Sequence, residues 1–149
     1  KINIWDNNIG VEGSMAIVNA APAQMRTLCG DMFEEGQTEA DLSGKVDDHG
    51  HRTGKQLGAE GAILVAWDLR AGFVNASMNK LNVLSNYIGT EGGQALVDAA
   101  PPQLQTFCGF EEGQTEANLS NKGLGPGDAV LLAWELTNGY VSTSMKSLK

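Results

Sequence analysis

The chain has 149 residues, with 10 Lys plus Arg against 18 Asp plus Glu and a formal charge of -8 at pH 7. That balance excludes a phosphate-binding surface as its main business, and so nucleic acid as its expected partner. The longest apolar run, Ala62 to Trp67, is far shorter than the roughly 20 residues that cross a bilayer, so no membrane span is expected; 19 Gly against 4 Pro suit a turn-rich β protein better than a disordered linker.

Lys1 to Trp5 alternates polar with apolar residues and predicts a half-buried strand, and Met15 to Asn19 predicts another. The chain opens at Lys1 without an initiating Met, which reads as a processed product or an excised piece. Pro22 to Leu28 places Pro early and is followed by Cys29-Gly30, a pattern that predicts a short helical turn. Next comes the polar stretch Glu34-Glu35-Gly36-Gln37-Thr38-Glu39-Ala40. Its carboxylates and amide could hold sugar hydroxyls or a hard cation, with Ca2+ as the candidate, through Glu34, Glu35, Gln37, Thr38 and Glu39. The other reading is a turn that needs its Gly and Thr structurally.

Val46 to Lys55 is rich in charge and glycine and holds both histidines. His49 and His51, spaced to lie on one side of an extended segment, would suit Zn2+ or Cu2+ with Asp47 as a further ligand; a solvated loop is the alternative. Ala62 to Leu69, Arg70-Ala71-Gly72 and Phe73 to Met78 then predict a β-hairpin. In it Trp67 precedes Asp68, the ring able to stack on a sugar face and the carboxylate able to take its hydroxyls, unless the Trp is simply core. Asn75-Ala76-Ser77 is a glycosylation sequon.

At Lys80 the sequence begins again. Lys1-Ile2-Asn3-Ile4-Trp5 returns as Lys80-Leu81-Asn82-Val83-Leu84, and Ile-Gly-x-Glu-Gly at 9–13 returns at 88–92. Ala-Ala-Pro-x-Gln at 20–24 returns at 99–103, and Phe33 to Ala40 recurs without change at Phe110 to Ala117. The second copy lacks the Val46 to Lys55 insertion and pairs Leu124 to Leu148 with Leu57 to Leu81. It therefore repeats each expectation. Gln94 to Asp98 predicts a strand and Pro101 to Phe107 a helical turn; Glu111, Glu112, Gln114, Thr115 and Glu116 form a second candidate binding loop. Asn118-Leu119-Ser120 is a sequon absent from the first copy. Ala129 to Leu136, Thr137-Asn138-Gly139 and Tyr140 to Met145 predict a second hairpin around Trp134-Glu135, with Asn-Gly as its turn.

Units 1–79 and 80–149 are each marginal as separate domains, so a shared core is expected. The fold expected is mainly β, a pseudo-twofold sandwich or barrel of about ten to twelve strands with short helical turns. About such an axis Cys29 and Cys108 would either meet in one disulfide, in keeping with export, or stay two small buried hydrophobes. No Ser-His-Asp set, phosphate-cradling glycine motif, Cys-x-x-Cys or His-Glu-x-x-His can be assembled. Carboxylates for glycoside hydrolysis exist in Glu35, Glu39, Glu112 and Glu116, but no spacing fixes their separation. Two like sites instead suit bivalent binding. The expectation is a secreted, non-enzymatic two-site binding protein, a lectin whose partners are glycans or glycoproteins. The alternative is a structural subunit of a filament, coat or matrix, a homo-oligomer that grows by donating the strand Ile2 to Trp5.

Overall fold

The computed structural model describes residues 2–5, 7–46, 49, 51–53 and 56–149. It is mainly helical. Four helices, α1 (Gly10–Ala20), α2 (Gly58–Ala71), α3 (Gly89–Asp98) and α4 (Pro126–Asn138), alternate with six very short strands: β1 (Glu39–Asp41), β2 (Lys45–Val46), β3 (Arg52–Thr53), β4 (Lys80–Asn82), β5 (Glu116–Ala117) and β6 (Ser147–Leu148). β1 pairs with β4 and β5 with β6 in parallel, and β2 with β3 is a two-residue antiparallel ladder inside the first copy's insertion. The expected β-sandwich or barrel is overturned, and with it both hairpins and the strands at Met15 to Asn19 and Gln94 to Asp98, all of which fall largely in helices.

The reason lies in burial. An apolar run of this length fits a buried strand or a buried helix equally well. In α2 every residue from Gly61 to Leu69 is buried, because α1 and α3 pack on its two flanks and the strand layer lies beneath. Its copy α4 has only α3 beside it and buries Gly127, Asp128, Leu131 and Glu135, the single stripe of a one-sided helix. The Asn138-Gly139 pair ends α4, with the Gly139 N–H donating to the Glu135 carbonyl at 3.0 Å. Pro22 and Pro101 do start turns, closed by Met25 N–H to the Pro22 carbonyl and Leu104 N–H to the Pro101 carbonyl. The chain then runs extended rather than helical into Cys29 and Cys108.

The repeat also contains a finer one. Ile9-Gly10, Leu57-Gly58, Ile88-Gly89 and Leu124-Gly125 each lead into a helix. Gly10, Gly58 and Gly89 sit there at φ between +61° and +66°, a left-handed entry that a side chain would strain. Each unit is thus an extended segment, a turn and a helix, the segment holding a strand in three units (β1, β4 and β5) and an isolated bridge at Asn3 in the first, and each helix touches only its sequence neighbours: α1 on α2, α2 on α3, α3 on α4. A twofold axis would bring the equivalent helices α2 and α4 together. Here the copies meet through the non-equivalent α2 and α3, so they follow one another in the same sense, as coils of a solenoid do.

Leu81 of β4 and Val83 just after it are fully buried, joining Leu64, Leu96, Phe107 and Leu131 in one core shared by both copies. No helix among the described residues is long and apolar enough to cross a membrane. The coils are locked by a buried amide. Asn86 donates from Nδ2 to the Leu42 carbonyl at 2.6 Å and the Val83 carbonyl at 3.0 Å, and its Oδ1 accepts the Leu57 N–H at 3.0 Å. Its copy Asn7 is exposed and holds only its own turn, at Ile4 and Trp5.

Two outcomes follow. Far-UV circular dichroism will show the double minimum of α-helix rather than a β spectrum. Asn86→Leu, which orphans the buried Leu57 N–H, will cost about 2–3 kcal/mol in urea unfolding, whereas Asn7→Leu will cost about 0.5 kcal/mol or less.

Candidate functional site

The two acidic loops fold alike. In each, a glycine at left-handed φ (Gly36 at +78°, Gly113 at +73°) closes a turn that a glutamine then clamps. Gln37 Oε1 accepts the Glu34 N–H at 2.8 Å while its Nε2 donates to the Glu39 carbonyl at 2.8 Å. Gln114 does the same with Glu111 N–H at 3.1 Å and the Glu116 carbonyl at 2.8 Å. The hydroxyls of Ser77 and Ser144 donate to the Gln37 and Gln114 carbonyls, and the Thr38 and Thr115 carbonyls accept two N–H groups each from the following strand. Glu34, Glu35, Glu111 and Glu112 are exposed around these turns, and Glu35 pairs with Arg26. The faithful repetition of this stretch therefore has a sufficient structural cause.

Trp67 and Trp134 lie in helices α2 and α4. Trp67 is buried, and Trp134 is half-buried with its ring edge-on to Phe107 at 5.0 Å. Neighbouring Asp68 and Glu135 are buried and aim at the returning extended segments. Asp68 accepts the Thr27 hydroxyl at 2.7 Å and the Leu28 N–H at 2.9 Å, and Glu135 accepts the Phe107 N–H at 3.0 Å. Burial pushes both carboxyls above the usual carboxylate range, and these hydrogen bonds pull part of the way back.

Cys29 and Cys108 sit one on each returning segment as separate buried thiols, so the expected disulfide is corrected to its alternative. Coils that follow one another in the same sense never bring the two equivalent segments face to face. Burial raises both thiols well above their ordinary range, with the nearby Asp68 and Glu135 carboxylates adding to it.

Asn75 donates from Nδ2 to the Leu69 and Arg70 carbonyls, both at 2.8 Å, tying down the end of α2. Asn118 is exposed and its Oδ1 accepts the Ser120 N–H at 3.0 Å. His49 and His51 are exposed with ring centroids 6.2 Å apart, while Asp47 lies outside the described residues. Among the described residues no three His, Cys, Asp or Glu side chains are grouped to hold a metal ion.

What the structure does assemble is a set of outward polar residues on each of two separate parallel strand pairs. Glu39 stands opposite Lys80 and Asp41 opposite Asn82 in the β1–β4 pair, and Glu116 opposite Ser147 in the β5–β6 pair. Alternation puts Ala40, Leu81 and Ala117 inward and these polar residues outward. The Lys80 ammonium lies 3.2 Å from Glu111 Oε2 and 3.5 Å from Glu39 Oε1, and 5.6 Å from the centre of the Tyr140 ring. The Glu111 hydrogen bond leads in holding Lys80 above its usual range. Reading the sequence as hairpins missed Lys80 and Tyr140 as neighbours. They meet through the Gln105-Thr106 segment, where Thr106 bridges to Lys80 and the Gln105 carbonyl accepts the Tyr140 N–H. No protein-family model, curated protein or solved structure matches this chain.

The buried carboxyls set a pH dependence. A carboxyl whose folded value is raised stabilises the fold below its unfolded pKa, and that contribution is lost as pH rises through the folded one. Urea midpoints will therefore fall as pH climbs out of the ordinary carboxylate range, and the Asp68→Asn, Glu135→Gln pair will flatten the fall. Neither cysteine of the native protein will react with a thiol reagent, and both will react in urea. An intramolecular disulfide recovered from the folded chain would contradict the fold.

Proposed function

We propose that the protein is a non-enzymatic binding protein that carries the basic surface of a partner polypeptide on its outward strand face. The observation that carries this reading is Lys80. One ammonium group is seated there between two carboxylates and against an aromatic ring, surroundings that would suit a partner's ammonium groups as well. Glu39 and Asp41 are exposed beside it, Glu116 is exposed on the separate β5–β6 pair, and the formal charge of -8 favours approach of a cationic partner from a distance.

The repeat supports recognition over catalysis, since successive strands offer similar outward positions and an extended partner could engage several at once. The acid groups best placed by burial for altered protonation, Asp68 and Glu135, each hold backbone, Asp68 at Leu28 and Glu135 through Oε2 at Phe107, while Glu135 Oε1 has no hydrogen-bond partner. A glycan reading of the acidic loops has less support, because Gln37 and Gln114 are occupied in the turns and Trp67 with Asp68 is enclosed.

The test is a titration with an oligolysine peptide followed by backbone amide NMR, beside a glycan array. Binding that weakens steeply with salt, maps to β1, β4 and β5, and drops at least about ten-fold in Glu39→Lys, Glu116→Lys supports the reading. Shifts scattered over every acidic residue, or glycan binding without peptide binding, would overturn it in favour of non-specific attraction or a lectin.

A further inference from the structure

Besides the insertion, the two copies differ in how they pack at one place, the joint between the first coil and the second compared with that between the third and the fourth. In the latter, Gly127 packs so closely that a Cβ there would come 2.3 Å from the Gly89 carbonyl oxygen. Beside it Asp128 braces the joint, accepting the Ser85 N–H and the Gly125 N–H, both at 2.7 Å. The first joint has Glu60 where Gly127 stands and Gly61 where Asp128 stands. A glutamate cannot occupy the space of that glycine, and the bracing carboxylate is missing.

The joint is therefore open, with a cavity of about 270 Å³. Its floor is Leu57 and Leu64, both buried, and Trp5 forms a wall where the second copy has Leu84. Trp5 reaches into the joint because Gly61 carries no side chain, since a Cβ on Gly61 would lie 2.5 Å from the Trp5 ring. Asn7, Asn8, Gln56 and Glu60 also line this space, Asn7 with its amide already given to its own turn. The half-buried Glu60 makes no ion pair among the described residues. An indole face, one carboxylate, two amides and an aliphatic floor form a set that takes an ammonium group on an apolar body.

We infer that this joint is a binding site for a small organic amine, its cation held by Glu60 against the Trp5 ring and its apolar part on Leu57 and Leu64. The inference does not rest on the strand-face reading, with which it shares no residue. The pocket's size suits a fragment of about one ring rather than a polymer. The first copy alone offers it, so the stoichiometry is one per chain.

The test uses the full chain and two probes of nearly equal shape, benzylamine and the neutral benzyl alcohol, read by tryptophan fluorescence and backbone amide NMR. Benzylamine is expected to bind saturably, at least about ten-fold tighter than the alcohol, with quenching that Trp5→Phe removes. Glu60→Gln is expected to weaken it about ten-fold, and Glu60→Gly with Gly61→Asp, which imports the residues of the closed joint, to abolish it. Should that double variant not fold, Glu60→Gln decides alone. Equal affinity for the two probes, an unaffected Glu60→Gln variant, or shifts centred on Trp67 or Trp134 would overturn the inference.

Discussion

The structure depends on how the backbone is satisfied where each strand turns toward its helix. Such a turn is neither strand nor helix, and once buried between coils its N–H and C=O groups have no water to bond. Side chains from the neighbouring coil supply the partners: Asn86 reaches Leu42 and Leu57, and Asp128 reaches Ser85. Asp68 and Glu135 extend the same device from helix to returning segment, at Leu28 and Phe107. The parallel pairs are only two or three residues long, so ladder hydrogen bonds alone could not fix the spacing of the coils. The buried amides and carboxylates fix it, and their positions dictate where helices sit above the strands.

This explains which differences between the copies are tolerated. The Asp68 to Glu135 exchange keeps a carboxylate on the returning segment's backbone despite the longer side chain. The exchange of Glu60-Gly61 for Gly127-Asp128 does not keep the brace, and it separates a closed joint from an open one. The insertion, which holds β3 and the end of β2, falls between β1 and α2.

Much of the organisation was legible in the sequence and much of the geometry was not. The long repeat shows plainly in Phe33 to Ala40 and its copy. The four Leu/Ile-Gly entries into helices are equally present in the letters, but they recur at uneven intervals because the connections differ in length, and the longer, more exact repeat hides them. The helices escaped for a physical reason. Ala62 to Leu69 lies between two helices and over strands, so all its sides are apolar and the helical period vanishes. The Asn138-Gly139 pair, the usual mark of a hairpin, ends a helix instead. Lys80 reads as an ordinary charged strand residue until parallel pairing places Glu39 beside it. Trp5 has Leu84 as its counterpart in the second copy, and that lack of repetition is what marks the open joint.

The single-file arrangement of the helices has a mechanical meaning. α1 meets only α2 and buries just Ser14, whereas α2 is enclosed along most of its length. A load applied along the row is therefore carried in series, each interface bearing the full force, and rupture begins at the weakest link rather than spreading over the whole body. The first coil would peel away before the central pair parts, leaving α2 and α3 as the last intact spring of the molecule. A small stack of this kind yields in steps under tension, where a sandwich of the same mass would yield at once.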